Sequence, residues 1–217
     1  MRRALAALLL LAAGAATAQE AQPTGRRAGR PERRDWDFAL TAYPTHAQGG
    51  DTLTSAIGAA DSGLLHLEAR YGYEAKDSRS AFIGWTFSGG GEAGRKLSWE
   101  VTPILGGGWG TIQATIPGVE ASVAWGRFDF YVEAEFVRDR HARENDYNYA
   151  WSELGFKATE RLRVGLVGQR TRAYGTEREF QRGPFLQLAW EKLTLGAFWF
   201  NPGSSEQVFV GAIGLSF

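Results

Sequence analysis

The stretch VEASVAWGRFDFYVEA, residues 119–134, contains two segments in which apolar residues alternate with polar or small ones. Alternation with a period of two is typical of a β-strand with two different faces. If Gly126 and Arg127 form a two-residue turn, the segments become an antiparallel hairpin. The pairs in this register are Trp125 with Phe128, Val123 with Phe130, Ala121 with Val132 and Val119 with Ala134. Because apolar residues meet apolar partners, the stretch predicts an antiparallel sheet with one apolar face.

A second hairpin follows from the same test. If Glu191 and Lys192 form a turn, the pairs are Trp190 with Leu193, Leu188 with Leu195, Leu186 with Ala197 and Pro184 with Trp199. Alternation in residues 65–73 likewise places Tyr73 on an apolar face, opposite His66, Glu68 and Arg70. The sequence therefore predicts an all-β protein.

The two faces of these strands suggest a membrane. Aromatic residues lie near strand ends on the apolar face, where a bilayer selects them at its boundary with water. These predicted interface residues are Trp99, Trp125, Phe128, Trp190 and Trp199. A soluble β-sandwich would also alternate. However, the second face carries carboxylates and arginines, which are costly to bury unpaired in a dry core. This charged face favours a membrane barrel with a polar interior.

The N-terminal region predicts export. Residues 1–18 combine a basic start, an apolar run too short to span a bilayer, and small residues before a cleavage site after Ala18, as in a secretory signal peptide. Residues 19–35 are rich in arginine and lack large apolar side chains, which predicts a disordered periplasmic linker. The barrel domain is then 36–217. The absence of cysteine excludes disulfides.

The chain ends in VFVGAIGLSF, residues 208–217, where the large residues Phe209, Ile213, Leu215 and Phe217 alternate with smaller ones. With the signal peptide and the alternating strands, this ending resembles the bacterial outer-membrane β-barrel class. The resemblance implies a transmembrane antiparallel up-and-down barrel in the outer membrane of a Gram-negative-type cell. It also implies contact with outer-membrane lipids and insertion by the barrel-assembly machinery, which recognises a terminal Phe. It indicates no particular subfamily.

The pattern leaves two possible numbers of strands, ten and twelve. Alternating segments occur at 36–44, 64–74, 79–88, 97–106, 118–126, 128–138, 148–158, 162–173, 183–190, 193–200 and 207–217. That makes eleven, whereas single-chain bacterial barrels have an even number. Either 51–59 or 110–116 is a twelfth strand, or 36–44 does not join the wall and ten remain. We favour twelve.

The predicted inner face carries the candidate functional residues. The acidic ones are Glu68, Glu100, Glu120, Asp129, Glu133, Glu135 and Glu153, and the basic ones are His66, Arg70, Lys157 and Arg163. The first hairpin places Glu120 opposite Glu133, which is unfavourable without compensation. A turn at Thr159 would place Lys157 beside Arg163. The pattern thus predicts an acidic strip facing basic groups across the interior.

Three functions are compatible with this charge pattern. We favour a small porin-like channel, in which opposed charges select small hydrophilic solutes. The alternative is a non-conducting structural barrel in which the same charges form salt bridges. A lipid-modifying hydrolase, built from His66 with Ser98 or Glu68, is less favoured because no motif supports it. We therefore expect no enzyme activity.

No pattern in the sequence predicts a cofactor or a metal site. The formal net charge of zero gives no indication of a nucleic-acid partner. Neither the transported solute nor the oligomeric state follows from the sequence.

Replacing both Leu215 and Phe217 with Asp should leave export intact but reduce insertion into the outer membrane, because the terminal strand would lose its apolar ending. Cell fractionation and immunoblotting would measure the inserted fraction and periplasmic degradation. Normal accumulation of the double variant in the outer membrane would contradict the assembly role of this ending.

Overall fold

The computed structural model describes residues 36–50, 52–91, 96–173 and 179–217, except for the side chains of 172 and 173. Its strands are β1 (Asp37–Ala47), β2 (Thr52–Ser62), β3 (Leu65–Tyr71), β4 (Arg79–Trp85), β5 (Phe87–Gly91), β6 (Leu97–Trp109), β7 (Ala114–Trp125), β8 (Phe128–Asp139), β9 (Tyr147–Lys157), β10 (Leu162–Ala173), β11 (Glu179–Trp190), β12 (Leu193–Phe200) and β13 (Val208–Ser216). A single turn of 3₁₀ helix, Arg143–Asn145, precedes β9. No helix in these ranges is long and apolar enough to cross a membrane.

The strands form one closed antiparallel barrel. Apart from β4 and β5, consecutive strands pair with each other, and β1 pairs with β13. Both β4 and β5 pair with β6 and are separated only by Thr86, so they form one interrupted wall strand. In the described part of the chain, the wall therefore has twelve strands, as favoured from the sequence.

The twelfth strand is β2, which contains most of the 51–59 segment. It was hard to recognise because its middle is rich in alanine and has little contrast between its faces. The segment 36–44 joins the wall as part of β1, which pairs with β2. The other candidate, 110–116, is divided between a connection and the start of β7.

Both predicted hairpins are present. All four pairs predicted across Gly126 and Arg127 occur between β7 and β8, and Gly126 has the positive φ of 63° that glycine adopts without strain. Across the second turn, Trp190 pairs with Leu193, Leu188 with Leu195 and Leu186 with Ala197. The pairing ends at Phe185 and Phe198, so the predicted contact between Pro184 and Trp199 lies beyond the paired residues.

The two ends of the barrel differ in their connections. At one end, which we call the turn end, the strands are joined by short connections at 63–64, 126–127, 158–161 and 191–192. At the other, the loop end, the connections that the structure describes in full are 72–78, 110–113, 140–146 and 201–207. Short turns on one side and longer loops on the other are typical of outer-membrane barrels.

The barrel is apolar outside, whereas its interior carries charged side chains. Along β8, Phe128, Phe130 and Phe136 are exposed, whereas Glu133 and Glu135 are buried. All the predicted interface residues are exposed: Trp99, Trp125, Phe128, Trp190 and Trp199. A surface of this kind, with aromatic residues near both ends, suits a hydrocarbon environment.

The end of the chain completes the wall. The backbone N–H groups of Phe38 and Phe217 each donate to the other residue's carbonyl, both at 2.9 Å, and the two rings stack at 6.1 Å. The predicted assembly residues Phe209, Ile213, Leu215 and Phe217 are exposed on the outer face. Their role in insertion remains a prediction. The predicted signal peptide, 1–18, and linker, 19–35, lie outside the described residues.

The purified protein should give a circular dichroism spectrum typical of β-sheet, because its described residues contain almost no helix. It should also migrate faster on a gel when unheated than when boiled, because a closed barrel stays compact in detergent. A spectrum with substantial helix, or identical migration of both samples, would contradict this fold.

Candidate functional site: the charged interior of the barrel

The structure places the predicted inner-face residues at different depths. Those buried are His66, Glu68, Arg70, Glu133, Glu135 and Glu153. Those partly exposed are Glu120, Asp129, Lys157 and Arg163, whereas Glu100, near the turn end of β6, is exposed. Most of these charged residues belong to two ion-pair clusters, one around Arg70 on β3 and one around Arg163 on β10.

Arg70 is the centre of the first cluster. Its side chain has no exposed surface, and its Nη1 lies 2.7 Å from Glu135 Oε1 and 3.1 Å from Glu133 Oε1. Its Nε donates to Glu68 on the same strand. Glu74 and Glu120 are farther away, at 3.8 and 3.9 Å. We call Arg70 and these five glutamates the Arg70 cluster.

The alternation of side chains along each strand explains how this cluster assembles. Residues 68 and 70 are two positions apart, so their side chains leave the same face of β3. Glu133 and Glu135 leave the inner face of β8 in the same way, and the guanidinium reaches them from another part of the wall. Arg70 also lies 4.2 Å above the ring of Phe82 on β4, which supports its position.

This geometry corrects the prediction of an acidic strip that faces basic groups across the interior. Glu120 and Glu133 do pair directly in the register of β7 and β8. However, Arg70 lies among the carboxylates instead of facing them across open space. The like charges of this hairpin are therefore partly compensated by a residue from β3.

The second cluster is organised by Arg163. Its Nη1 lies 2.5 Å from Glu153 Oε2 and 2.7 Å from Gln187 Oε1, and its Nε donates to Asp129 Oδ1 at 2.9 Å. Lys157 is the backbone neighbour of Arg163, as predicted. Gly155 makes room for this cluster, since a side chain there would collide with Arg163 and Asp129.

The connection between β3 and β4, Gly72–Ser78, folds into the barrel. Gly72 has a φ of 63°, which turns the chain away from the strand direction. The hydroxyl of Tyr73 donates to Glu133 Oε1 at 2.8 Å, and that of Tyr147 donates to the Glu74 carbonyl at 3.0 Å. We call this stretch the inward segment. It links β3 to the wall formed by β8 and β9.

The inward segment was missed because alternation was extended through Gly72. The sequence prediction that Tyr73 lies on the apolar outer face is wrong: β3 ends at Tyr71, and Tyr73 is only 1% exposed. A glycine followed by the polar residues of GYEAKDS was the available signal for a turn at this point.

Aromatic side chains fill another part of the interior. Trp151 lies 5.4 Å from both Phe198 and Phe200, edge to face, and Phe185 lies 5.5 Å from Phe198. All four rings are buried, and Trp151 Nε1 donates to Glu153 at 3.0 Å. The sequence predicted only a charged inner face, and this aromatic cluster was not predicted.

His66 lies beside the Arg70 cluster. Its Nδ1 is 2.8 Å from Asp61 Oδ1, and its Nε2 is 3.5 Å from Glu68 Oε2. The hydrolase hypothesis needs a histidine that activates a hydroxyl group. The His66 ring instead lies between two carboxylates, so this geometry gives that hypothesis no support.

Comparison with known proteins gives a structural relationship. Neither a protein-family model nor a curated protein matches the sequence. The fold is similar to that of the KdgM porin, with a TM-score of 0.55 over 82% of this chain and 99% of that chain, at 10% identity. The outer membrane protein Omp33 of Acinetobacter baumannii gives a TM-score of 0.46 at 13% identity, covering 84% of this chain and 98% of Omp33.

The chain has the fold of a porin-like outer-membrane β-barrel. The likeness to the KdgM porin covers nearly the whole described barrel. At 10% identity, it shows the architecture and carries no residue roles.

Replacing Arg70 with Met should destabilise the barrel by about 3–5 kcal/mol, because the buried carboxylates around it would lose their cation. Urea unfolding in lipid vesicles, followed by tryptophan fluorescence, would measure the change. Arg138→Met, at an exposed position, is the matched control and should change stability by less than about 0.5 kcal/mol.

A second variant separates charge from packing. Adding Glu133→Gln and Glu135→Gln to Arg70→Met should recover part of the lost stability, since fewer carboxylates remain uncompensated. Arg70→Met that is as stable as the wild type would show that the cluster does not hold the interior together.

Proposed function

We propose that the protein is a channel for small hydrophilic solutes in the outer membrane, with the turn end facing the periplasm. The inward segment would control its passage. The resemblance of the barrel to a protein named as a porin supports the general class. The proposal depends mainly on one observation, which is that a polar loop of this chain folds into a wide barrel.

The twelve strands make this barrel wide. About eight strands already give an interior that side chains alone can fill. A twelve-strand wall encloses more space than that. In this protein, the additional space is occupied by the inward segment and the aromatic cluster. Loops that occupy the interior are a known feature of outer-membrane barrels.

The contacts of the inward segment are mainly polar. The Tyr73 hydroxyl donates a hydrogen bond to Glu133, and the Tyr147 hydroxyl donates one to the Glu74 carbonyl. The Ser80 hydroxyl donates to Glu74 Oε1 at 2.5 Å. Water can replace hydrogen bonds of this kind, so their net contribution is only about 0.5–3 kcal/mol each, with the larger values for bonds to a carboxylate. Movement of the segment would expose the Arg70 cluster to water and open this part of the interior.

The same cluster would favour cations. Five carboxylates lie within 3.9 Å of the Arg70 guanidinium, so negative charge exceeds positive charge there. A ring of acidic side chains selects for cations. A passage uncovered by movement of the inward segment would therefore conduct small cations better than anions.

A non-conducting structural barrel is the second candidate. The specific observation in its favour is that Trp151 and Glu153 are 0% exposed and that the Arg70 side chain has no exposed surface. In the conformation described here, water does not reach these side chains. In that case, the clusters would serve only to hold the wall together.

Planar bilayer recordings would separate the two candidates. The wild type should give discrete conductance steps, and replacing residues 73–77 with two glycines should enlarge them. Changing Glu120 and Glu133 to Gln should lower the cation preference, most clearly at low salt, because screening is weaker there.

The control is the same replacement in an outer loop, at residues 202–206, which should leave the conductance steps unchanged. Absence of conductance in the wild type and in the shortened variant would overturn the channel and support the structural barrel. If the wild type hydrolyses a lipid substrate and His66→Ala does not, the result would instead support the hydrolase hypothesis.

A further inference from the structure

We propose that His66, Glu68 and Glu120 bind one divalent transition-metal ion, such as Zn²⁺, inside the barrel. The site goes beyond the proposed transport function and does not depend on it. Nitrogen from imidazole and oxygen from carboxylate are ordinary ligands for this ion.

The positions of the ligand atoms support this site. One ligand atom from each of the three side chains lies within 4.8 Å of the other two. His66 Nε2 and Glu68 Oε2 are 3.5 Å apart, which is longer than a good hydrogen bond. With metal–ligand bonds of about 2.0–2.2 Å, two ligands of a tetrahedral ion are roughly 3.4 Å apart. The observed spacing therefore fits two ligands of one ion.

The second ring nitrogen of His66, Nε2, supports the metal site independently of the spacing. This Nε2 is buried and has no hydrogen-bond partner among the residues that the structure describes, and the side chain is only 9% exposed. An unpaired polar atom at such a depth is costly. Because Nε2 faces Glu68, a metal ion between them would satisfy it.

Asp61 fixes the tautomer of the His66 imidazole that a metal ligand needs. Its carboxylate can only accept a hydrogen bond, so Nδ1 of His66, 2.8 Å away, carries the proton. In the neutral ring, the lone pair is then on Nε2. Histidine ligands of metals commonly donate their other N–H to a carboxylate in this way.

Charge also favours a divalent cation here. Glu68 and Glu120 are neighbours of three further carboxylates in the Arg70 cluster, which contains a single guanidinium. Arg70 holds Glu68 through Oε1, so Oε2 remains available. One divalent ion would neutralise the two carboxylate ligands. The Glu120 side chain is 19% exposed, which leaves a way in and a position for water.

Isothermal titration calorimetry with chelator-treated barrel in detergent would test the site. The wild type should bind one Zn²⁺. His66→Ala and Glu120→Gln should each weaken binding by more than about tenfold, and Asp61→Asn by about 10–100-fold, as for partners of metal-bound histidines. His46→Ala should bind normally, because His46 is exposed and its Nδ1 lies 3.2 Å from the Thr52 hydroxyl.

Cobalt gives a second measurement. Co²⁺ added to the wild type should produce visible absorption bands that Zn²⁺ abolishes, and these bands should be absent in His66→Ala. Gel migration without heating would confirm that each variant is folded. If His66→Ala does not fold, Glu120→Gln carries the test, since Glu120 is partly exposed. No Zn²⁺ binding, or binding that is equal in the wild type, His66→Ala and Glu120→Gln, would overturn the proposal.

Discussion

A charged side chain inside this barrel must find its counter-charge inside the barrel, because the outer surface is apolar and suited to hydrocarbon. Burying an unpaired ion costs several kcal/mol, which is a large fraction of the stability of a domain. The wall fixes which residues point inwards, since a shift of one residue would reverse both faces. Arg70 and Arg163 are therefore constrained twice: the strand register directs them inwards, and the surrounding carboxylates hold their side chains there.

The local structure was predictable where neighbouring segments carry the information. The hairpin at Gly126 follows from a short turn and two alternating strands, and its register fixes the contact between Glu120 and Glu133. The strand β2 was less clear, because alanine fits either face of a strand. Gly72 was misinterpreted for a related reason, since a pattern of apolar residues does not show where a single glycine changes the chain direction.

The interior could not be predicted in the same way. Arg70 and Glu135 are 65 residues apart and lie on strands that do not pair, so no hairpin register brings them together. Their contact depends on the closure of the barrel, on the length of both side chains and on what fills the space between them. The sequence thus indicates which residues enter the interior, whereas the closed wall determines which of them meet.

The excess of carboxylates connects the two proposals physically. A channel that favours cations and a site that binds a metal ion both need negative charge that the protein does not neutralise by itself, and the Arg70 cluster has five carboxylates around one guanidinium. The two roles differ in what they require of His66. Conduction needs weak, exchangeable contacts with ions, so an imidazole fixed by Asp61 adds little to it. Metal binding needs that fixed nitrogen, because it is the ligand that distinguishes a transition metal from other cations.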